Sequence, residues 1–285
     1  MTGFGARVSA AIAEYGNLCV GIDPHGALLD AWGLERSAGG VREFGLRAVE
    51  AATGRAGAVK PQVAFFEAFG SAGFAALEEV LAAARSAGLL TIADAKRGDI
   101  GSTMDGYTSA WLTPGSPLEA DAVTLSPYLG PDSLRPALTT AIRSGKGAFV
   151  LAATSNPEAL ALQSAHTVDV ASAEGQTVAD RVARDVGWAN ASAAFEGRLG
   201  PVGLVVGATV DRAAVGLTDA ALQRAPILAP GFGAQGAAPA DLHAIFGGFA
   251  GQVLASESRS LLSAGPEGLA DAISTRASEY RSTRG

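Results

Sequence analysis

The chain is expected to be an α/β protein of the (β/α)8 TIM-barrel class, a single domain spanning residues 1–285. Three observations predict this. Eight short apolar runs recur along the sequence, and most are continuously apolar rather than alternating, as parallel strands covered on both faces are. Segments rich in Ala, Leu and Glu, with helical spacing, lie between them. The 37 glycines suit many tight strand-to-helix turns. Strand alternating with helix eight times in this length is the barrel pattern. A doubly wound open sheet is the runner-up. It would prefer a glycine-rich dinucleotide turn after the first strand, and Gly21-Ile22-Asp23-Pro24-His25 is not one.

The first predicted strand covers residues 18–23 and carries Cys19, the sole cysteine, which reads as a small core residue. The second covers 58–62. A helix over 73–87 follows, with Leu77, Val80, Leu81 and Ala84 on one face. The third strand, 89–96, ends in Asp94 and Lys96. Strand side chains alternate, so these two point the same way. A core strand gains nothing from an acid and an ammonium at its end, because burying charge is costly. The fourth and fifth strands cover 122–127 and 148–154. The longest connection, 155–200, is expected to hold a loop and then a helix over 178–193 on the barrel rim. Strands at 202–209, 226–231 and 252–258 complete the set. Trp32, Trp111 and Trp188 are too dispersed for a stacking platform and are expected to pack in the core or against helices. His25, His166 and His243 lack metal-ligand spacing and do not sit with clustered carboxylates, and are expected on the surface or in loops.

Composition narrows the function. The chain is 48% hydrophobic, ample for a large core. A net charge of −7 leaves no basic face for nucleic acid or an anionic membrane. No apolar run is long enough to span a bilayer, and the start Met-Thr-Gly-Phe-Gly-Ala-Arg lacks the apolar stretch of a signal peptide, so a cytoplasmic location is expected. One cysteine allows neither a disulfide framework nor a cysteine metal centre.

In a barrel, side chains at the C-terminal ends of the strands meet over one mouth. Two groups emerge there. Asp23, Lys60, Asp94, Lys96 and Asp99 alternate in sign at or near successive strand ends. Buried ion pairs are poor stabilisers, so this array points to a site more than to a structural network. The loop 230–236, with Pro230 and Gln235, and Ser258-Arg259 follow strands seven and eight, where barrels commonly bind phosphate. The glycines expose backbone N–H groups, Gln235 can donate, and Arg259 can form a bidentate pair. Glu257 is an awkward neighbour: alternation turns it away from Ser258, yet Arg259 would share its face unless the strand has ended.

The run Asp94-Ala95-Lys96-Arg97-Gly98-Asp99-Ile100-Gly101-Ser102-Thr103 resembles the signature of the orotidine 5′-phosphate decarboxylase family. Its D-x-K-x-x-D core is shared with a wider suprafamily, whereas the longer form is much more specific. The segments 21–25, 59–67, 126–130, 153–157 and 230–236 resemble the longer bacterial branch found in mycobacteria and their relatives. The resemblance implies a (β/α)8-barrel homodimer with shared active sites and no metal or organic cofactor. It implies a carbon–carbon lyase that converts orotidine 5′-monophosphate to UMP and CO2, the last step of de novo pyrimidine nucleotide synthesis. By the same resemblance, Lys96 protonates C6 of the pyrimidine and Asp94 sits beside the departing carboxylate. Asp23 and Lys60 hold ribose hydroxyls, and Ser126 reads the pyrimidine amide. Gln235 and Arg259 hold the phosphate, and Pro230 lines the base. Asp99, Ile100 and Thr103 come from the partner subunit. Phe232 and Ala237 depart from the family's usual Val or Ile and Gly. The alternative is a related sugar-phosphate barrel enzyme, of the keto-gulonate-phosphate decarboxylase or hexulose-phosphate synthase type, which uses Mg2+.

Overall fold

In the computed structural model, which describes residues 2–168, 175–193 and 197–283, eight strands close into a barrel in sequence order. They are β1 (Leu18–Ile22), β2 (Ala58–Pro61), β3 (Leu90–Arg97), β4 (Ala122–Leu125), β5 (Gly147–Ala153), β6 (Val202–Val206), β7 (Ile227–Pro230) and β8 (Val253–Glu257). All neighbouring pairs are parallel, including β1 with β8. Each predicted run contains a strand. The largest difference is at β6, where the chain turns after Val206 and Val210 donates back to the carbonyl of Gly207 at 3.2 Å.

A helix α1 (Phe4–Tyr15) precedes the barrel. The helices that follow the strands are α2 (Ala38–Ala52), α3 (Gly70–Ser86), α4 (Gly101–Leu112), α5 (Arg135–Arg143), α6 (Val178–Ser192), α7 (Asp219–Leu222), α8 (Leu242–Phe246) and α9 (Gly265–Ser282). The spacing argument holds for α3, which buries Leu77, Val80, Leu81 and Ala84. The long connection holds a short helix, Ala159–Gln163, as well as α6; residues 169–174 of it lie outside the described residues, as do 194–196. The Thr177 hydroxyl starts α6 by accepting the Asp180 N–H at 3.1 Å, satisfying a donor the helix cannot.

Alternation splits the core into two layers. Cys19, Ala58, Leu90, Ile92, Ala122, Phe149, Leu228 and Leu254 point into the barrel. Val20, Val59, Ala93, Val123, Val150, Leu204, Ile227 and Ala255 point out, onto the helices. Each large apolar side chain so buried contributes about 1.5–3 kcal/mol relative to exposure. The inner layer is completed by Phe4, Val8 and Ile12 of α1, an element the strand–helix count does not foresee. Phe4 meets Phe149 edge-on at 5.8 Å. Gly147 makes room for it, since a Cβ there would fall 2.2 Å from the Phe4 ring. The helix therefore plugs the N-terminal end of the barrel.

Two tryptophans behave as expected: Trp32 stacks on Phe44 at 4.0 Å, and Trp111 is buried. Trp188 does not pack in the core; it is 67% exposed. Helix α6 buries Val182, Val186 and Asn190, and position 188 falls outside that i, i+4 stripe. Its ring instead lies beneath the Arg135 guanidinium at 5.9 Å. His166 and His243 are exposed, and half-buried His25 sits in the turn after β1. Cys19 is fully buried, and burial pushes its thiol up to about 12. Among the described residues no helix is long and apolar enough to cross a membrane.

Candidate active site

With the N-terminal end plugged, the C-terminal mouth is the open end. The alternation that buries Leu90 and Ile92 brings Asp94 inward two residues later. By the same step Ala58 leads to Lys60, Ala122 to Thr124 and Leu254 to Ser256. These side chains line a cavity of about 460 Å3, together with Asp23, Gln62, Lys96, Pro230, Gln235, Ser258 and Arg259.

Asp94 is the hub. Its Oδ2 accepts from Lys60 Nζ at 2.8 Å. Its Oδ1 accepts from Lys96 Nζ at 2.7 Å and from Thr124 Oγ1 at 2.8 Å. Oriented to satisfy both neighbours, the Gln62 amide donates to Asp94 and accepts from Lys96 Nζ at 3.3 Å. Burial alone would raise the Asp94 carboxyl, but Lys60 and Lys96 outweigh it and hold it well below the usual carboxylate range. Burial likewise pulls Lys60 down, and Asp94 and Asp23 more than reverse this, so its ammonium is held above the usual lysine range. Both groups are therefore charged at neutral pH.

The two lysines are not equivalent. The β3–β4 register shifts between Ala93 and Arg97, and Lys96 takes the left-handed conformation with φ +48°. That conformation is costly for a residue with a Cβ, by roughly 1–2 kcal/mol. The Lys96 N–H is held there by Thr124 Oγ1 at 2.9 Å. The bend leaves the Lys96 side chain 47% exposed at the cavity, against 9% for Lys60. One ammonium is locked in place and the other is presented.

Across the mouth, Asp23 Oδ2 accepts from Ser258 Oγ at 2.5 Å, while Asp23 Oδ1 is buried without a partner among the described residues. A buried acceptor without a partner is uncommon and marks a place where a ligand donor fits. Gln235 and Arg259 are exposed at the rim, and Arg259 makes no ion pair among the described residues. The Glu257 conflict is resolved by the end of β8. Glu257 is its last residue and points outward; Ser258, at φ −132° and ψ −80°, breaks the strand, and Arg259 starts the short helix Arg259–Leu262.

Seven of the expected residues thus share one cavity: Asp23, Lys60, Asp94, Lys96, Pro230, Gln235 and Arg259. Four do not line it. Asp99 follows β3 and accepts the Ile100 N–H at 2.8 Å. Ile100 is 63% exposed, and Thr103 is exposed in the first turn of α4. Ser126 follows β4, half-buried, its N–H donating to the Arg97 carbonyl at 2.8 Å. Sequence reasoning missed Gln62 and Thr124 as site residues. Parity could have found them: each lies two residues beyond an inward side chain, Lys60 and Ala122.

The sequence matches the family described as "Orotidine 5′-phosphate decarboxylase / HUMPS family" over residues 16–267. It is 50% identical over 267 residues to the orotidine 5′-phosphate decarboxylase of Salinispora tropica, covering 94% of this chain and 92% of that protein. It is 47% identical over 264 residues to the enzyme of that name from Corynebacterium glutamicum, covering 93% and 92%. Among solved structures, a Streptomyces avermitilis chain assigned to the same enzyme superposes with a TM-score of 0.92 at 46% identity, covering 99% and 96%. Leishmania donovani OMP decarboxylase superposes with a TM-score of 0.78 at 31% identity, covering 99% of each.

Proposed function

The chain belongs to the orotidine 5′-phosphate decarboxylase / HUMPS family, and we propose that its mouth decarboxylates orotidine 5′-monophosphate to UMP and CO2. The observation that carries this reading is the array in one cavity of a locked Lys60–Asp94 pair, a presented Lys96, and an unpaired Arg259 on the far rim.

Loss of CO2 leaves an electron pair at C6 that the pyrimidine ring cannot delocalise. An ammonium fixed beside that carbon stabilises the charge as it develops, then donates a proton to it. Lys96 has the exposure and the anchored backbone for this role. Asp94 pairs with both ammoniums at rest and sits where the substrate carboxylate departs. Asp23, with its free Oδ1, and Lys60 bind ribose hydroxyls. Gln235 and Arg259 grip the phosphate, Pro230 lines the base, and Ser126 reads the pyrimidine amide from just beyond β4. Holding the phosphate far from C6 supplies binding energy that organises the reacting end.

The active unit in this reading is a homodimer in the cytoplasm. Asp99, Ile100 and Thr103 lie outside their own cavity, on a rim where Ile100, Tyr128 and Leu129 expose apolar surface. A second copy covering that rim would receive Asp99 beside its own Lys96. The Mg2+-dependent alternative differs in its dependence on metal, which a chelator tells apart.

The test is the absorbance change of orotidine 5′-monophosphate on turnover by purified protein treated with chelator. Undiminished turnover is expected; strict dependence on added Mg2+ would favour the alternative. Mixing inactive Lys96→Ala and Asp99→Ala subunits should restore activity through one complete site per heterodimer. Subunit exchange without any recovery would remove Asp99 from the neighbour's site.

A further inference from the structure

We propose that Glu257, which does not line the cavity, is the positioning residue that sets the phosphate grip. Its side chain is fully buried behind the mouth, between β8 and α9. A buried carboxylate is costly, and an apolar residue of similar size would fill the space at less cost. What the carboxylate adds is direction. Its Oε1 accepts from the Tyr280 hydroxyl at 2.8 Å. Its Oε2 accepts from Ser260 Oγ at 2.7 Å and from the Arg276 guanidinium. Ser260 is the residue after Arg259, so this hydrogen bond fixes the helical turn that carries Arg259.

The loop that carries Gln235 rests on the same cluster. Gly233 has φ +66°, and a Cβ on it would lie 2.4 Å from both Glu257 Oε2 and Ser260 Oγ. The loop backbone is thus in direct contact with the carboxylate. One residue earlier, Phe232 meets Tyr280 edge-on at 5.8 Å. The two arms of the grip, Gln235 from β7 and Arg259 from β8, are therefore indexed to one buried oxygen pair that α9 holds from behind. The Glu257–Arg276 bond alone would dock α9; the Ser260 bond and the contact with Gly233 join that docking to the ligand side.

This inference rests on the reading of Arg259 as a phosphate ligand, and a double-mutant cycle separates the two. The measurement is kcat/KM for orotidine 5′-monophosphate in wild type, Glu257→Gln, Arg259→Ala and the double variant. Glu257→Gln should lower kcat/KM about 10–100-fold, within the range of coupling inside one hydrogen-bonded network. In the Arg259→Ala background the same change should cost less than about 3-fold, because coupled residues are not additive. An equal loss in both backgrounds, or none in wild type, overturns the inference. If Glu257→Gln does not fold, Ser260→Ala runs the same cycle, with a loss of about 3–10-fold that again vanishes without Arg259. If Arg259→Ala itself leaves kcat/KM unchanged, the phosphate reading fails, and the inference fails with it.

Discussion

The barrel carries a buried cluster of opposite charges at each end, built from similar residues. At the plugged end, Asp121 Oδ1 accepts from Arg7 at 2.5 Å and lies 3.8 Å from Lys146 Nζ. Its Oδ2 accepts the Thr91 N–H at 2.9 Å and the Thr91 hydroxyl at 3.1 Å. Lys146 also pairs with Glu119 at 2.6 Å. Burial raises the Asp121 carboxyl, and Arg7 and Lys146 outweigh it, as the lysines do for Asp94. At the mouth, Asp94 likewise takes two cations and a threonine. The difference is in what is left over. The plugged end spends its carboxylate oxygens on protein donors, whereas the mouth keeps an unpartnered Asp23 oxygen, a half-exposed Lys96 and an unpaired Arg259. A buried charge cluster alone therefore does not mark a site; unsatisfied capacity facing a cavity does.

The same chemical change at both ends sharpens this contrast. Asp94→Asn should lower kcat by roughly 10^3-fold, within the range for removing one preorganised electrostatic group. Asp121→Asn should leave kcat within a few-fold and instead cost about 2–3 kcal/mol of stability, because it uncouples a partly buried ion pair. Denaturant midpoints and initial rates on both variants read the two effects apart. Equal rate losses would erase the distinction between the ends. A smaller effect is expected at Thr124, whose hydroxyl ties Asp94 to the bent backbone of Lys96. Thr124→Val should lower kcat about tenfold with KM nearly unchanged, and Thr124→Ser should restore most of it. A loss that serine does not rescue would make Thr124 a packing residue.

The smallest effect is a pH dependence that should be absent. A depressed carboxyl contributes stability above its unfolded pKa and loses it as pH falls through the folded value. A raised lysine contributes below its unfolded pKa and loses it as pH rises through the folded value. With Asp94 held low and Lys60 held high, neither adds a slope between roughly pH 5 and 9. Unfolding midpoints across that range, compared with those of Asp94→Asn, should show no wild-type slope due to this pair. A slope that the substitution removes would mean that the pair titrates near neutrality.

The sequence made much of this legible because the barrel repeats one rule. Apolar runs buried on both faces marked all eight strands, and their C-terminal ends put Lys60, Asp94 and Lys96 at one mouth. Parity also placed Glu257 outward, but left open whether β8 ended there, since nothing in Glu-Ser-Arg announces a strand end. The backbone bend at Lys96 was hidden because a lysine at φ +48° carries no compositional signal, unlike a glycine. Thr124 was hidden for the opposite reason: a β-branched residue in a strand looks ordinary. The plug by α1 depends on contacts between residues as far apart as Phe4 and Phe149, which no local pattern reports.

The central claim is that the presented ammonium at the mouth does the chemistry. It is tested most directly by kcat and the thermal midpoint of Lys96→Ala, measured together. The expected result is a loss of at least about 10^4-fold in kcat, combining proton donation with charge stabilisation, with a thermal midpoint within about 5 °C of wild type. Turnover within tenfold of wild type, with the fold intact, would contradict it.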